Sequence, residues 1–142
     1  MILLDCIALV ESSNNSGALR FEQELFESDP SWVQGQVSKI MGANKCSEAT
    51  ALMIASTSWG KFQMLGANLY SFAQGDVPLQ SIFSNDALQQ ELFGLFIKPR
   101  GYDPNEAIDD WEGERFGAFA KFYNGPGAIG NYVAAMKGTL VK

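Results

Sequence analysis

The stretch Ile2-Leu3-Leu4-Asp5-Cys6-Ile7-Ala8-Leu9-Val10 is apolar except for Asp5, and Glu11-Ser12-Ser13 brings it to an end. A run of that kind has to be buried, and its length suits a helix of about three turns. At about 100° per residue Glu11 falls on the same side as Leu4, Ile7 and Ala8 and roughly opposite Asp5, so its carboxyl is directed at the core and not at water. A carboxyl at the edge of an apolar wall loses hydration of its charged form. Its pKa rises, and it can stay protonated near neutral pH to serve as a general acid. The alternative is a helix-end glutamate that reaches solvent or caps a neighbour, which for a carboxylate taken alone is the commoner case.

Composition narrows the chemistry. The 142 residues suit one domain, 46% of them hydrophobic, and a chain of this length can bury roughly two-thirds of its unfolded surface. The apolar N-terminus is far short of the ~20 residues of a membrane span. It also lacks the basic start of a secretory signal, so action outside the cytoplasm would need another route. A net charge of -6, with ten scattered Lys and Arg, argues against nucleic acid as a partner. The chain has no histidine, which removes Ser-His-Asp and Cys-His catalysis and the His-containing zinc sites of hydrolytic metalloenzymes. Acid–base work then falls to carboxylates, Tyr, Lys or Cys, with no cofactor or metal called for. Cys6 and Cys46 could form a disulfide, but nothing in their spacing requires it, and they read as two buried free thiols.

Helix punctuation dominates the rest, and the predicted class is mainly α, a single unit over residues 1–142. Asp29-Pro30 reads as an N-cap with Pro at the first helical position, opening a helix through Trp32, Val33 and Val37. Ser47 caps a helix over Glu48 to Ala55, and Ser84 or Asn85 starts a longer one carrying Leu88, Leu92, Phe93, Leu95 and Phe96. Asp103-Pro104-Asn105-Glu106 is close to a capping box, with a helix, or a pair of helices, continuing past Trp111 to Phe122. A last helix covers Ile129 to Leu140. Only Ala18 to Phe26 resists: a strand entering a short helix is as good a reading as a hairpin. Trp32 and Trp111 are assigned to the core, as are Phe93, Phe96, Phe116 and Phe119 at their helical spacings.

Three segments look built to line a polar cleft. They are Glu11-Ser12, then Ser56-Thr57-Ser58-Trp59-Gly60-Lys61-Phe62-Gln63-Met64, then Phe122-Tyr123-Asn124-Gly125-Pro126-Gly127, whose turn lets backbone approach a ligand. Each alone is also a cap, a loop or a helix stop. Together and in this order they resemble the phage-type N-acetylmuramidase endolysins, whose lysozyme-like domain is akin to goose-type lysozymes and soluble lytic transglycosylases. Ala8 to Ser13 resembles the family's catalytic Glu-Ser segment, and Leu19 to Phe26 its Phe-Glu stretch. Ala55 to Met64 resembles the Ser-Trp-Gly-x-x-Gln segment. Phe119-Ala120-Lys121-Phe122-Tyr123-Asn124-Gly125-Pro126-Gly127 resembles the most specific segment. Two departures stand out: Gln23-Glu24 interrupt the Phe-Glu stretch, and Thr57 separates Ser56 from Ser58-Trp59.

The resemblance implies a lysozyme-like fold, at most a small β element after the first helix, and cleavage of peptidoglycan between N-acetylmuramic acid and N-acetylglucosamine. It implies Glu11 as general acid, with Glu22 first and Glu24 second as candidates for the other carboxylate. A separation of roughly 6.5 to 9.5 Å from Glu11 would suit inversion, and about 5 Å a nucleophile. Gln63, Asn124, Ser12 and Ser58 are candidates to hydrogen-bond the sugars. Trp59 and Tyr123 offer flat faces for pyranose rings, with core packing the competing role. If neither Glu22 nor Glu24 faces the cleft, a lytic transglycosylase that leaves 1,6-anhydro ends is the alternative. A non-catalytic glycan-binding domain is the rival outside the enzymes. The partner is the glycan strand and the isolated domain is expected to be a monomer, reaching the wall through a holin or as part of a phage-like particle. An acidic protein on an anionic wall should associate weakly, and better with added salt.

Overall fold

The computed structural model describes residues 1–141. Its α1 (Leu3–Ser12) is the apolar N-terminal run, and it buries Leu3, Cys6, Ile7 and Ala8 while Asp5 stays exposed. The chain then forms β1 (Leu19–Phe21) and enters α2 (Gln23–Ser28), so the strand-into-helix reading of this stretch holds. Short α3 (Ser31–Gln34) and α4 (Val37–Asn44) lead to α5 (Glu48–Ala55). Next come β2 (Thr57–Trp59), β3 (Met64–Leu65), α6 (Gly66–Phe72), α7 (Leu79–Phe83) and α8 (Asp86–Ile97). The last helices are α9 (Gly113–Asn124) and α10 (Ile129–Gly138), with single 3-10 turns at Lys98–Arg100 and Thr139–Val141. The class is mainly α with one small sheet, consistent with a lysozyme-like fold.

That sheet is antiparallel, in the order β1-β2-β3, with Arg20 opposite Ser58 and Trp59 opposite both Leu19 and Met64. Two predicted caps do their work: Ser47 Oγ accepts from Thr50 N at 3.2 Å and Asn85 Oδ1 from Leu88 N at 3.1 Å. Each satisfies one of the N–H groups that a helix start leaves unpaired.

Two other helix starts lie elsewhere than the sequence predicts. Asp29 does not open a helix; it closes α2 in the left-handed region at φ 43°. Pro30 is the N-cap of α3, its carbonyl accepting from Val33 N and Gln34 N at 3.0 Å. The helix is one turn long, so Val33 is buried while Trp32, about 100° further round, lies 50% exposed and outside the core. Asp103 to Glu106 has the reciprocal bonds of a cap, Asp103 N donating to Glu106 Oε1 at 3.0 Å and Asn105 N to Asp103 Oδ1 at 2.8 Å, yet no helix follows. The carbonyls of this turn are taken by α1: Leu4 N donates to Pro104 O and Leu3 N to Glu106 O, both at 2.9 Å. The turn thus caps the helix that carries Glu11 instead of starting one, and α9 begins only at Gly113.

The core joins α1 to α10, α9 to α10, α4 to α5, and α8 to α6 and α7. Phe93, Phe116 and Phe119 are fully inside, Phe96 and Trp111 partly so. Both cysteines are free; Cys6 is buried and Cys46 only half-buried.

Candidate active site

A cleft of about 720 Å³ runs between the sheet and the helices. Its lining includes Glu11, Glu22, Glu24, Ser58, Gln63, Tyr123 and Asn124, seven of the nine residues singled out from the sequence. Ser12 and Trp59 stand apart from it.

Glu11 reaches the cleft from the last turn of α1. The helix stops there because Ser13 and Asn14 turn left-handed at φ 53° and 65°. Ser13 N then bonds Leu9 O at 3.0 Å and Asn14 N bonds Ala8 O at 2.8 Å, a Schellman-type close. Burial pushes the Glu11 carboxyl above the ordinary carboxylate range, and the charge of Glu22 adds to the rise. The negative end of the helix dipole acts in the same direction. A hydrogen bond from Tyr132 and the charge of Arg20 oppose it without reversing it. Tyr132 Oη donates to Glu11 Oε1 at 2.5 Å, leaving Oε2 as the oxygen not engaged by that bond. The phenol itself is held far above its usual range by burial and then by the charge of Glu11, so it acts as a donor throughout the working pH range.

Tyr132 is not among the residues that the sequence singles out, although its place on α10 carries a signal. It shares a face with the buried Met136 four residues on, and a tyrosine on an apolar face needs a partner for its hydroxyl.

The opposite wall is the sheet. Side chains alternate along a strand, so Arg20 and its cross-strand neighbour Ser58 share the cleft side while Leu19 and Phe21 share the other. Glu22, just past β1, takes two bonds on one oxygen: Arg20 Nε donates to Oε1 at 2.7 Å and Ser58 Oγ donates to the same atom at 3.2 Å. Ser58 is therefore already committed to a carboxylate. The backbone of Glu22 is fixed as well, its N–H donating to Ser56 O at 2.9 Å. Glu24, in the first turn of α2, also lines the cleft.

The loop after β2 supplies the floor. Gln63 sits in the left-handed region at φ 48°, its Nε2 donating to Gly60 O at 3.0 Å. Tyr123, in the last turn of α9, donates from Oη to Phe62 O at 2.6 Å, and its ring stacks on Phe119 with centroids 5.4 Å apart. It thus combines core packing with a place on the cleft wall. Burial, and secondarily the charge of Glu11, hold its phenol well above the usual range. Asn124 follows it, Nδ2 donating to Gly127 O at 3.4 Å across the turn.

The two residues outside the cleft have structural jobs. Ser12 Oγ donates to Lys61 O at 2.8 Å and accepts from Asn15 N at 3.1 Å, tying the end of α1 to the Gly60 loop. Trp59 Nε1 donates to Ile54 O at 3.0 Å, and its ring meets Phe83 edge-on at 5.5 Å. Among the described residues no group of three or more acidic, Cys or His side chains could hold a metal ion.

A profile of the family described as Muramidase, N-acetylmuramidase, matches residues 23–142 of this chain. The chain belongs to the N-acetylmuramidase family. It is also 37% identical over 129 residues to the endolysin of Enterobacteria phage PRD1, a match that covers 87% of this chain and 85% of that protein. No solved structure matches it significantly. The family match takes in Ser58, Gln63, Tyr123, Asn124 and Tyr132, while Glu11, Arg20 and Glu22 lie before its first residue. No helix among the described residues is long and apolar enough to cross a membrane.

Proposed function

We propose that this chain lyses peptidoglycan by hydrolysing the bond between N-acetylmuramic acid and N-acetylglucosamine in its glycan strands. Membership of the N-acetylmuramidase family supports the substrate class. The observation that carries the mechanism is a carboxyl, Glu11, whose pKa is raised by burial at the wall of an open polar cleft and which is oriented by a single donor on one oxygen.

Glu11 is the general acid. With Tyr132 on Oε1, the proton sits on Oε2 and passes to the glycosidic oxygen as the C1–O bond breaks. Glu22 is the second carboxylate. Its charge is matched by Arg20, its Oε1 is engaged by Arg20 and Ser58, and its Oε2 is free to take a proton from the water that attacks C1. The bond cleaved is C1–O, the bond formed joins C1 to the water oxygen, and one proton is lost from Glu11 as one is gained by Glu22. Gln63 and Asn124 hydrogen-bond the sugar amides and hydroxyls, and Tyr123 contributes an edge of its ring. Glu22 lines the same cleft as Glu11, which favours hydrolysis over transglycosylation, where one glutamate makes both proton transfers. As a member of an endolysin-like family the enzyme would reach its substrate after release from the host cytoplasm or within a phage-like particle.

The test is mass spectrometry of the soluble products from purified peptidoglycan. Free reducing N-acetylmuramic acid ends from the parent, lost in Glu11→Gln, are the expected result. Anhydro ends would move the activity to transglycosylation, and no products from the parent would leave a glycan-binding domain.

A further inference from the structure

The cleft is mismatched to its proposed polymer. Three carboxyl groups line it, Glu11, Glu22 and Glu24, against one cation among the described residues, Arg20. The glycan strand is itself acidic: every N-acetylmuramic acid carries a lactyl group that ends either in a carboxylate or in an amide to a stem peptide with carboxylates of its own. An acidic groove would repel such a chain unless some point in it reverses the sign.

Arg20 is that point. Strand alternation puts it on the cleft side of β1, directly opposite Ser58. Only its Nε is used, on Glu22 Oε1. The two Nη groups make no hydrogen bond among the described residues, and the side chain remains 67% exposed. A guanidinium tethered through Nε has its direction fixed, and it keeps a planar edge of N–H donors suited to a second carboxylate. The tether contributes little to stability, since an ion pair this open is largely screened by solvent. It does set the guanidinium beside the carboxylate assigned to catalysis.

We infer that Arg20 is a specificity residue that binds a carboxylate of the glycan strand, either the lactyl carboxylate or one on the stem peptide, with the donors that Glu22 leaves free. The inference rests on the proposed substrate class. It assigns the acidic cleft a preference within that class, for strands that present a carboxylate beside the scissile bond.

The test measures binding in the Glu11→Gln background, so that the strand is not consumed. Three soluble strands are titrated calorimetrically: uncrosslinked strands with stem peptides, the same strands stripped by an amidase to bare lactyl carboxylates, and stripped strands with those carboxylates converted to methylamides. Adding Arg20→Gln is expected to weaken binding to a carboxylate-bearing strand about tenfold, and to leave the methylamide strand within about twofold. Arg20→Lys, which keeps the charge and loses the planar edge, should cost about threefold. Loss confined to the stem-bearing strand names the peptide as the source, and loss on the stripped strand names the lactyl group. An equal change on carboxylate and methylamide strands, whether large or nil, overturns the inference, as does no measurable binding of the Glu11→Gln protein to any strand. Should the parent release no products from peptidoglycan while the carboxylate-dependent loss persists, the hydrolytic reading fails and the recognition by Arg20 stands.

Discussion

The two walls of the cleft handle a carboxyl group in opposite ways. On the helical wall Glu11 is taken out of water and given one neutral donor, with no ion pair of its own among the described residues and only the field of Arg20 to offset its charge. On the strand wall Glu22 sits half in solvent and is met by a cation and a hydroxyl on the same oxygen. One environment favours keeping a proton and the other is arranged around a negative charge, so the two residue types are identical and their proposed roles are not. The proposed acid and base thus differ through the places that hold them: a buried helix end, and an exposed segment just past an edge strand.

The largest expected effect comes from removing the helical wall's proton. Glu11→Gln should lower turnover of peptidoglycan by about 10³-fold with KM little changed, read from product release under saturating substrate. Glu22→Gln should cost about 10²-fold. If it costs less than Glu24→Gln, the assignment of the second carboxylate moves to α2 and the comparison of walls breaks. Tyr132→Phe sharpens the first wall. It removes the only bond that holds Glu11 Oε1 among the described residues and one of the two influences that lower its pKa. The alkaline limb of kcat against pH should therefore move upward, and the rate at the optimum should fall about tenfold through lost orientation.

The smallest effect is on stability. A carboxyl whose folded pKa is raised binds more protons folded than unfolded, so its contribution weakens as pH rises from the ordinary carboxylate range to the raised value, and stays weakened above it. Glu11→Gln should therefore melt at a higher temperature than the parent near pH 7, with the difference vanishing at pH values below the unfolded carboxylate range. Thermal melts across that range check the sign. A parent that is the more stable of the two at pH 7 would mean that Glu11 is not the desolvated group described here.

Much of this was readable from local pattern. The side of α1 on which Glu11 lies follows from helical periodicity, and the caps at Ser47 and Asn85 follow from side-chain chemistry confined to four residues. What failed did so where distant backbone intervened. Asp103 to Glu106 is a good cap by sequence, yet its carbonyls serve Leu3 and Leu4, about a hundred residues away. Ser58 lines the cleft as expected, but nothing local announces that β1 will bring the Glu22 carboxylate to its hydroxyl. Arg20 and Tyr132 were overlooked for the same reason: each acquires its meaning from a partner on another element. Trp59 and Ser12 sit next to cleft residues in sequence, and the alternation of a strand and the rotation of a helix turn them away.

One buried side chain outside the cleft has a kinetic consequence. Gln89, on α8, accepts from Lys61 N at 2.9 Å and donates to Phe83 O at 3.0 Å and Ile82 O at 3.2 Å. It also fills the space beside Gly60, where an added Cβ would come within 2.2 Å of its Oε1. One amide group therefore clamps the loop before Gln63 to the helical body. Loop amides commonly exchange with solvent through small local openings, but that of Lys61 can exchange only when this clamp releases. Its exchange rate is thus a clock for how often the floor of the cleft detaches from the body of the protein.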